Sequence, residues 1–232
     1  MKSSSKRQWW VPLGLVLLSL VPVLAGAARV GELTGGAQIT AENARFFASP
    51  VPVVVHIIGA SVYCLLGAFQ FAPALRRRRR WHRIAGRVLV PFGLAAAVSG
   101  LWMTLFYARP PADDVLLTPI RLVFGAAMVA CLVLGVTAIR RRDIAAHRAW
   151  MARGYAVALG AGTQVLTHLP WMVLVGQPTG TPRVVLMLAG WVINLAVVEW
   201  ALRRRSTARP DAASRRISSG TPVGAATGSP TR

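Results

Sequence analysis

Residues 51–80 read VPVVVHIIGASVYCLLGAFQFAPALRRRRR, and this stretch decides the class of fold. Residues 51–75 contain no Lys, Arg, Asp or Glu, and five consecutive arginines follow them. About 20 predominantly apolar residues, at 1.5 Å of rise each, are enough for a helix to cross a bilayer. A long apolar run that stops at a basic block is typical of a membrane-spanning helix that ends in a cytoplasmic loop.

Five further segments have a similar length and apolar character, and together the six predict an all-α bundle of six transmembrane helices. The composition agrees, because 54% of the 232 residues are hydrophobic and the mean hydropathy is +0.51. We expect Pro91 and Pro170 to kink the third and fifth helices. The predicted spans are roughly 9–30, 51–75, 84–107, 116–139, 154–176 and 184–202.

The formal charge of +20 suggests a nucleic-acid partner at first, but its distribution does not. The basic residues stand in short blocks between apolar runs, whereas a nucleic-acid-binding domain presents a basic face on a packed soluble core. If the N-terminus is inside, 22 of the 27 Lys and Arg residues fall on the inner side. This bias predicts a multi-pass protein of the plasma or inner membrane with both termini in the cytoplasm.

Three regions follow from this pattern. Residues 1–8 form a short cytoplasmic N-terminus, residues 9–202 form the transmembrane domain, and residues 203–232 form a basic tail. The tail is too poor in large apolar residues to order itself, and its arginines favour anionic lipid headgroups. A second interpretation of the first span is a signal peptide cleaved after Ala25-Gly26-Ala27, although the run is long for one.

Polar side chains gather at the predicted cytoplasmic ends of the helices. A polar group in a spanning helix is costly unless it faces protein or water, so each is a candidate for function. We expect them to bind a small anionic or redox-active ligand, such as a lipid headgroup, a quinone-like carbonyl or a haem propionate. Asp143 lies four residues before His147 and is expected to hydrogen-bond its imidazole. The ligand-binding candidates are Gln70, His82, Arg83, Arg87, His147, Trp150, Arg153 and Glu199.

A second histidine pair lies deeper in the bundle. Helix rise places His56 about 8 Å and His168 about 12 Å from the outer surface, so the two could face each other. Histidine is an axial ligand of haem iron, and one alternative is therefore an electron carrier with one b-type haem between His56 and His168. The competing interpretation is that these histidines make hydrogen bonds between helices.

Two other functions stay open. A proton-coupled transporter of small molecules would use Glu199, Gln164 and the histidines, and would need a water-accessible cavity near the middle of the membrane. A structural membrane subunit would need none of these groups for chemistry. The sequence contains no GxSxG, HExxH or Walker-type motif, so it does not argue for an enzyme, and it does not indicate an oligomeric state.

Three blocks carry a resemblance to a known family: GAFQF at 67–71, HRIAGR at 82–87 and HRAWMAR at 147–153. With them, the chain resembles a family of predicted bacterial membrane proteins called domain of unknown function 2306. The resemblance covers roughly residues 50–202 and includes Asn194 and Glu199. It implies a multi-helix membrane domain and strengthens the list of site residues, but it implies no particular activity.

Overall fold

The computed structural model describes residues 9–207, which are helical and contain no strand. The predicted cytoplasmic N-terminus, residues 1–8, lies outside the described residues, as does the tail from residue 208 onward. Residues 203–207, which the sequence assigned to the tail, continue the last helix. The helices are α1 (Trp10–Thr34), α2 (Ala44–Ala48), α3 (Pro50–Ala68) with the 3-10 turn Phe69–Phe71, α4 (Pro73–Arg77), α5 (Arg79–Phe106), α6 (Leu117–Arg140), α7 (Ile144–Ala158), α8 (Gly160–Leu174) and α9 (Gly180–Thr207).

The predicted all-α transmembrane bundle is confirmed. Five helices are long and apolar enough to cross a membrane: α1, α3 with its 3-10 turn, α5, α6 and α9. The sixth candidate is the pair α7 and α8, which passes the same test as one bent span. The cytoplasmic position of both termini remains a prediction from the charge distribution.

The connections divide the bundle into two ends. We call the end that carries residues 69–87 and 140–153 the basic end. The end that carries residues 35–49, 107–116 and 175–183 is called the opposite end. Within the bundle, α3 packs against α1 and α5, while α6 packs against α5 and α7.

The buried core lies where α3, α5, α6 and α7 meet. Its largest members include Tyr63, Leu89, Met128, Leu132 and Tyr155, each at most 5% exposed. Many leucine, valine and isoleucine side chains point outward instead. Such an apolar exterior would drive aggregation in water, but it is the expected lipid-facing surface of a membrane bundle.

The fifth span differs from the prediction. It was expected as one helix over 154–176, but α7 begins at Ile144 and the chain bends by 42° between α7 and α8. The arginines of the HRAWMAR block made this stretch resemble a loop. Asp143 starts the helix instead, because its carboxylate accepts a hydrogen bond from the Ala146 backbone N–H at 2.9 Å.

Asn194 in α9 holds both sides of this break. Its Nδ2 donates to the carbonyl of Ala156 at 3.1 Å, before the bend, and its Oδ1 accepts from the Thr163 hydroxyl at 2.7 Å, after it. A bend releases backbone carbonyls that lipid cannot satisfy. The amide of Asn194 therefore replaces a hydrogen bond that an unbroken helix would make.

Glycine permits the close contact between α3 and α5. A Cβ atom added to Gly59 would lie 2.9 Å from both the Ala96 nitrogen and the Phe92 carbonyl oxygen. These are backbone atoms, which cannot rotate away, so a side chain here would force the helices apart. Small residues at such crossings are typical of membrane helix pairs.

We expect Gly59→Val to lower the free energy of unfolding by about 1–3 kcal/mol, the usual cost of overpacking. The measurement is thermal or denaturant unfolding of the purified protein in mild detergent. Gly14→Val in α1 is the matched control, because nothing lies within 4 Å of the position of its Cβ. Equal effects of the two substitutions would contradict the assigned α3–α5 contact.

Candidate functional site

Seven of the eight predicted ligand-binding residues lie on elements at the basic end. Gln70 is in the 3-10 turn that follows α3, while His82, Arg83 and Arg87 lie in the first turns of α5. The other three of the seven, His147, Trp150 and Arg153, lie on α7. Glu199 belongs to a separate compact unit that begins at this residue, within α9.

The Gln70 amide is the most unusual group at this end. Its Nε2 and Oε1 are both buried, and neither has a hydrogen-bond partner in the described part of the chain. Leaving a buried polar group unpaired costs about 1–3 kcal/mol, and an amide presents both a donor and an acceptor. Such a group requires an explanation in a native structure, and a bound molecule is one.

Aromatic packing holds the turn that carries Gln70. The hydroxyl of Tyr155 in α7 donates to the Cys64 carbonyl at 2.6 Å, close to the end of α3. The Phe71 ring packs on the same tyrosine, with ring centroids 5.0 Å apart. Gly67 has no side chain where the Tyr155 ring lies, so the ring reaches the α3 backbone. The position of Gln70 is thus set by rigid contacts on both sides.

His147 is oriented by the backbone of α6. Its Nδ1 lies 2.8 Å from the Gly135 carbonyl oxygen, which can only accept a hydrogen bond, so Nδ1 carries the hydrogen. In the neutral ring Nε2 is then an acceptor. The expected hydrogen bond from His147 to the Asp143 carboxylate is wrong, because that carboxylate caps α7 through Ala146.

The arginines at this end differ in their surroundings. Arg83 and Arg87 are exposed and lie four residues apart in α5, so they share one face of the helix. Arg153 lies over the Trp150 ring, with its guanidinium carbon 4.9 Å from the ring centroid. Cation–π contact of this kind fixes the direction of a long side chain.

The structure does not place His56 and His168 around one cavity, as a b-type haem between them would require. The Nδ1 of His56 donates to the Ala96 carbonyl in α5 at 2.8 Å, while that of His168 donates within its own helix to the Gln164 carbonyl at 2.7 Å. His56 lines a cavity of about 100 Å³ that His168 does not reach. Pockets that hold drug-sized ligands measure about 300–1,000 Å³. Separately, among residues 9–207 no group of three or more His, Cys, Asp or Glu side chains is placed to hold a metal ion.

Comparison with known proteins agrees with this architecture. A family model described as "Predicted membrane protein (DUF2306)" matches residues 53–202. The chain belongs to this family. The match covers α3 to α9 and therefore every element of the basic end. No curated protein and no solved structure matches the chain significantly.

The opposite end of this DUF2306 protein holds a charge cluster that was not predicted from the sequence. The Asp113 carboxylate accepts hydrogen bonds from Arg121 in α6 and from Arg183 in α9, both at 2.6 Å. The Asp113 side chain is fully buried, whereas the two arginines are 27% and 28% exposed. The sequence contained one signal: Asp113 lies in a predicted loop, and Arg121 and Arg183 lie near the starts of predicted helices. Only the fold brings the three side chains together.

The environment lowers the pKa of Asp113. Burial alone would raise this pKa, because it disfavours the charged form, but the hydrogen bonds and charges of Arg121 and Arg183 outweigh burial. A carboxylate with a lowered pKa in the folded state stabilises the protein above the ordinary value of 3.8. That contribution is lost as the pH falls below 3.8 through the lower pKa of the folded state.

We expect Asp113→Asn to lower the free energy of unfolding at pH 7 by about 2–3 kcal/mol. This loss is smaller than the roughly 3–5 kcal/mol of a fully buried pair, because both arginines stay partly exposed. Unfolding in detergent at pH 7 and pH 3 provides the measurement, and the variant should lose less stability on acidification than the wild type. Asp114→Asn is the control, since its carboxylate only accepts from the Leu116 backbone N–H. If the Asp113 variant were as stable as the control, the stabilising role assigned to the ion pairs of Asp113 with Arg121 and Arg183 would be contradicted.

Proposed function

We propose that this membrane protein binds a small anionic or redox-active ligand at its basic end, on the cytoplasmic face of the plasma membrane. The cytoplasmic position rests on the 22 basic residues that the proposed topology puts on one side. The proposed activity is binding, and no chemical step is assigned to it.

The observation that carries this proposal is the unpartnered amide of Gln70. Its Nε2 can donate to an anionic or carbonyl oxygen, and its Oε1 can accept from a hydroxyl on the same molecule. Since both atoms are buried, a ligand would need a small movement to reach them. The five-residue helix α4 follows directly and packs on α5, so its displacement is the simplest entry route.

The charge of the basic end favours an anion over a neutral quinone. Arg83 and Arg87 are exposed on one face of α5, where their guanidinium groups can pair with phosphate or carboxylate oxygens. The oriented His147 adds a nitrogen that accepts a hydrogen bond when the ring is neutral. A phosphatidylglycerol headgroup, which carries a phosphate and two hydroxyls, has the chemistry that these groups require.

We expect short-chain phosphatidylglycerol to raise the unfolding midpoint of the wild type more than short-chain phosphatidylcholine does. Ligand at about 100 times its dissociation constant stabilises a protein by about 2.7 kcal/mol. Gln70→Leu should be at least as stable as the wild type without ligand, because it removes an unpaired buried amide, and it should lose most of the response. The readout is thermal unfolding in neutral detergent.

The exposed Gln177, in the connection between α8 and α9, gives the matched control Gln177→Leu, which should respond as the wild type does. A full response of Gln70→Leu to phosphatidylglycerol would contradict the proposal. A decylubiquinone response that Gln70→Leu abolishes, without any response to the anionic lipid, would reassign the ligand to the redox-active class.

A second candidate, a proton-coupled transporter, is favoured by the cavity next to the break between α7 and α8. The cavity lies between α1, α3 and the break, and His56, Ser61 and Leu159 are among its lining residues. Broken helices mark the substrate sites of many transporters. Gln164 gains no support, because its amide already donates to the Met187 carbonyl at 3.0 Å.

A cavity of about 100 Å³ is large enough to hold water. We expect solid-state NMR in lipid to detect magnetisation transfer from water to the His56 imidazole, and Ala60→Leu to abolish it by filling the cavity. The fully buried Leu132 is the dry reference within the same sample. Transfer to His56 no faster than to Leu132 would remove this candidate.

A further inference from the structure

The opposite end of the bundle holds more positive than negative charge around one aromatic ring. Arg29 pairs with Glu32, and Asp113 pairs with Arg121 and Arg183. Arg45 in α2 makes no ion pair within the described residues. Arg45 is therefore a cation of this end without a direct carboxylate partner in the described part of the chain.

The Phe46 ring fixes the position of Arg45. The Arg45 guanidinium carbon lies 4.4 Å from the centroid of this ring, and that of Arg29 lies 4.7 Å from it. Phe46 in turn packs edge-on against Tyr107, with centroids 5.6 Å apart. A guanidinium held against a ring keeps its N–H donors free for other partners.

The electrostatic surroundings of Arg45 are unfavourable for a cation. Burial lowers the pKa of its guanidinium most strongly. Among the charged neighbours, Asp113 has the largest effect and raises this pKa, whereas Arg29 and Arg121 lower it, so that the pKa stays below its ordinary value. An arginine stays charged at neutral pH nevertheless. The group therefore gains from any anion that approaches it.

Asp113 acts on Arg45 through its charge, but its carboxylate is hydrogen-bonded to Arg121 and Arg183. Asp114 accepts a hydrogen bond from the Leu116 backbone N–H, and Glu42 is exposed. Arg109, also exposed, adds further positive charge.

We propose that Arg45, with Arg29 and Arg121 beside it, binds an oxyanion of the phosphate or carboxylate class at the opposite end. The guanidinium fork matches two oxygens of such a group, and the neighbouring arginines add attraction without a covalent step. Under the proposed topology this site faces the outside of the cell. It is separate from the Gln70 site and does not depend on it.

The test measures the unfolding midpoint of the purified protein against inorganic phosphate, with sodium chloride at matched ionic strength as reference. Phosphate should stabilise the wild type, and Arg45→Gln should bind it about tenfold more weakly or not at all, as expected when a charge-assisted hydrogen bond is lost. Arg109→Gln, at an exposed arginine outside the proposed site, should keep the response. If Arg45→Gln does not fold, Arg45→Lys replaces it and should weaken binding by removing the fork.

A parallel titration with short-chain phosphatidylcholine distinguishes the sources of the phosphate group. Stabilisation by this lipid alone, lost in Arg45→Gln, assigns the site to a lipid headgroup, and stabilisation by free phosphate assigns it to a soluble anion. An equal response of Arg45→Gln and wild type would overturn the proposal, as would no response of the wild type to either compound.

Discussion

A single constraint organises this molecule: within a membrane, each polar group must find its partner inside the protein. The break between α7 and α8 leaves the buried Ala156 carbonyl without its helical partner. The amide of Asn194 donates to this carbonyl and accepts a hydrogen bond from the Thr163 hydroxyl on the other side of the break. The break in turn allows the fifth span to start at Ile144 and to carry His147 and Tyr155 into the bundle. The Asp143 cap, the His147 bond to the Gly135 carbonyl and the Tyr155 bond to the Cys64 carbonyl hold the same helix.

The same constraint separates structural polar groups from candidate functional ones. The Nδ1 atoms of His56 and His147 donate to backbone carbonyls of neighbouring helices, and the Tyr155 hydroxyl donates to Cys64. These bonds explain part of the polar content of the bundle without a ligand. Gln70 stands apart, because neither of its amide atoms is satisfied by residues 9–207.

Hydropathy and charge were sufficient to predict the bundle, because lipid imposes the same apolar length on every span. Contacts between distant segments were not predictable in this way. Asp143 was assigned to His147 from spacing alone, whereas the competing partner Gly135 lies on another helix. The ion pairs of Asp113 with Arg121 and Arg183 join a loop to two helices, α6 and α9. The basic-end residues were found because polar groups near apolar runs are conspicuous, but sequence could not show which of them lack a partner.

The central claim is that Gln70 is a binding group and that its missing partner is a ligand. An electron cryomicroscopy map of the protein purified with native lipids, at a resolution that shows ordered small molecules, tests it most directly. We predict non-protein density within hydrogen-bonding distance of the Gln70 Nε2 and Oε1 atoms. A Gln70 side chain hydrogen-bonded to the protein, with no such density beside it, would contradict the claim.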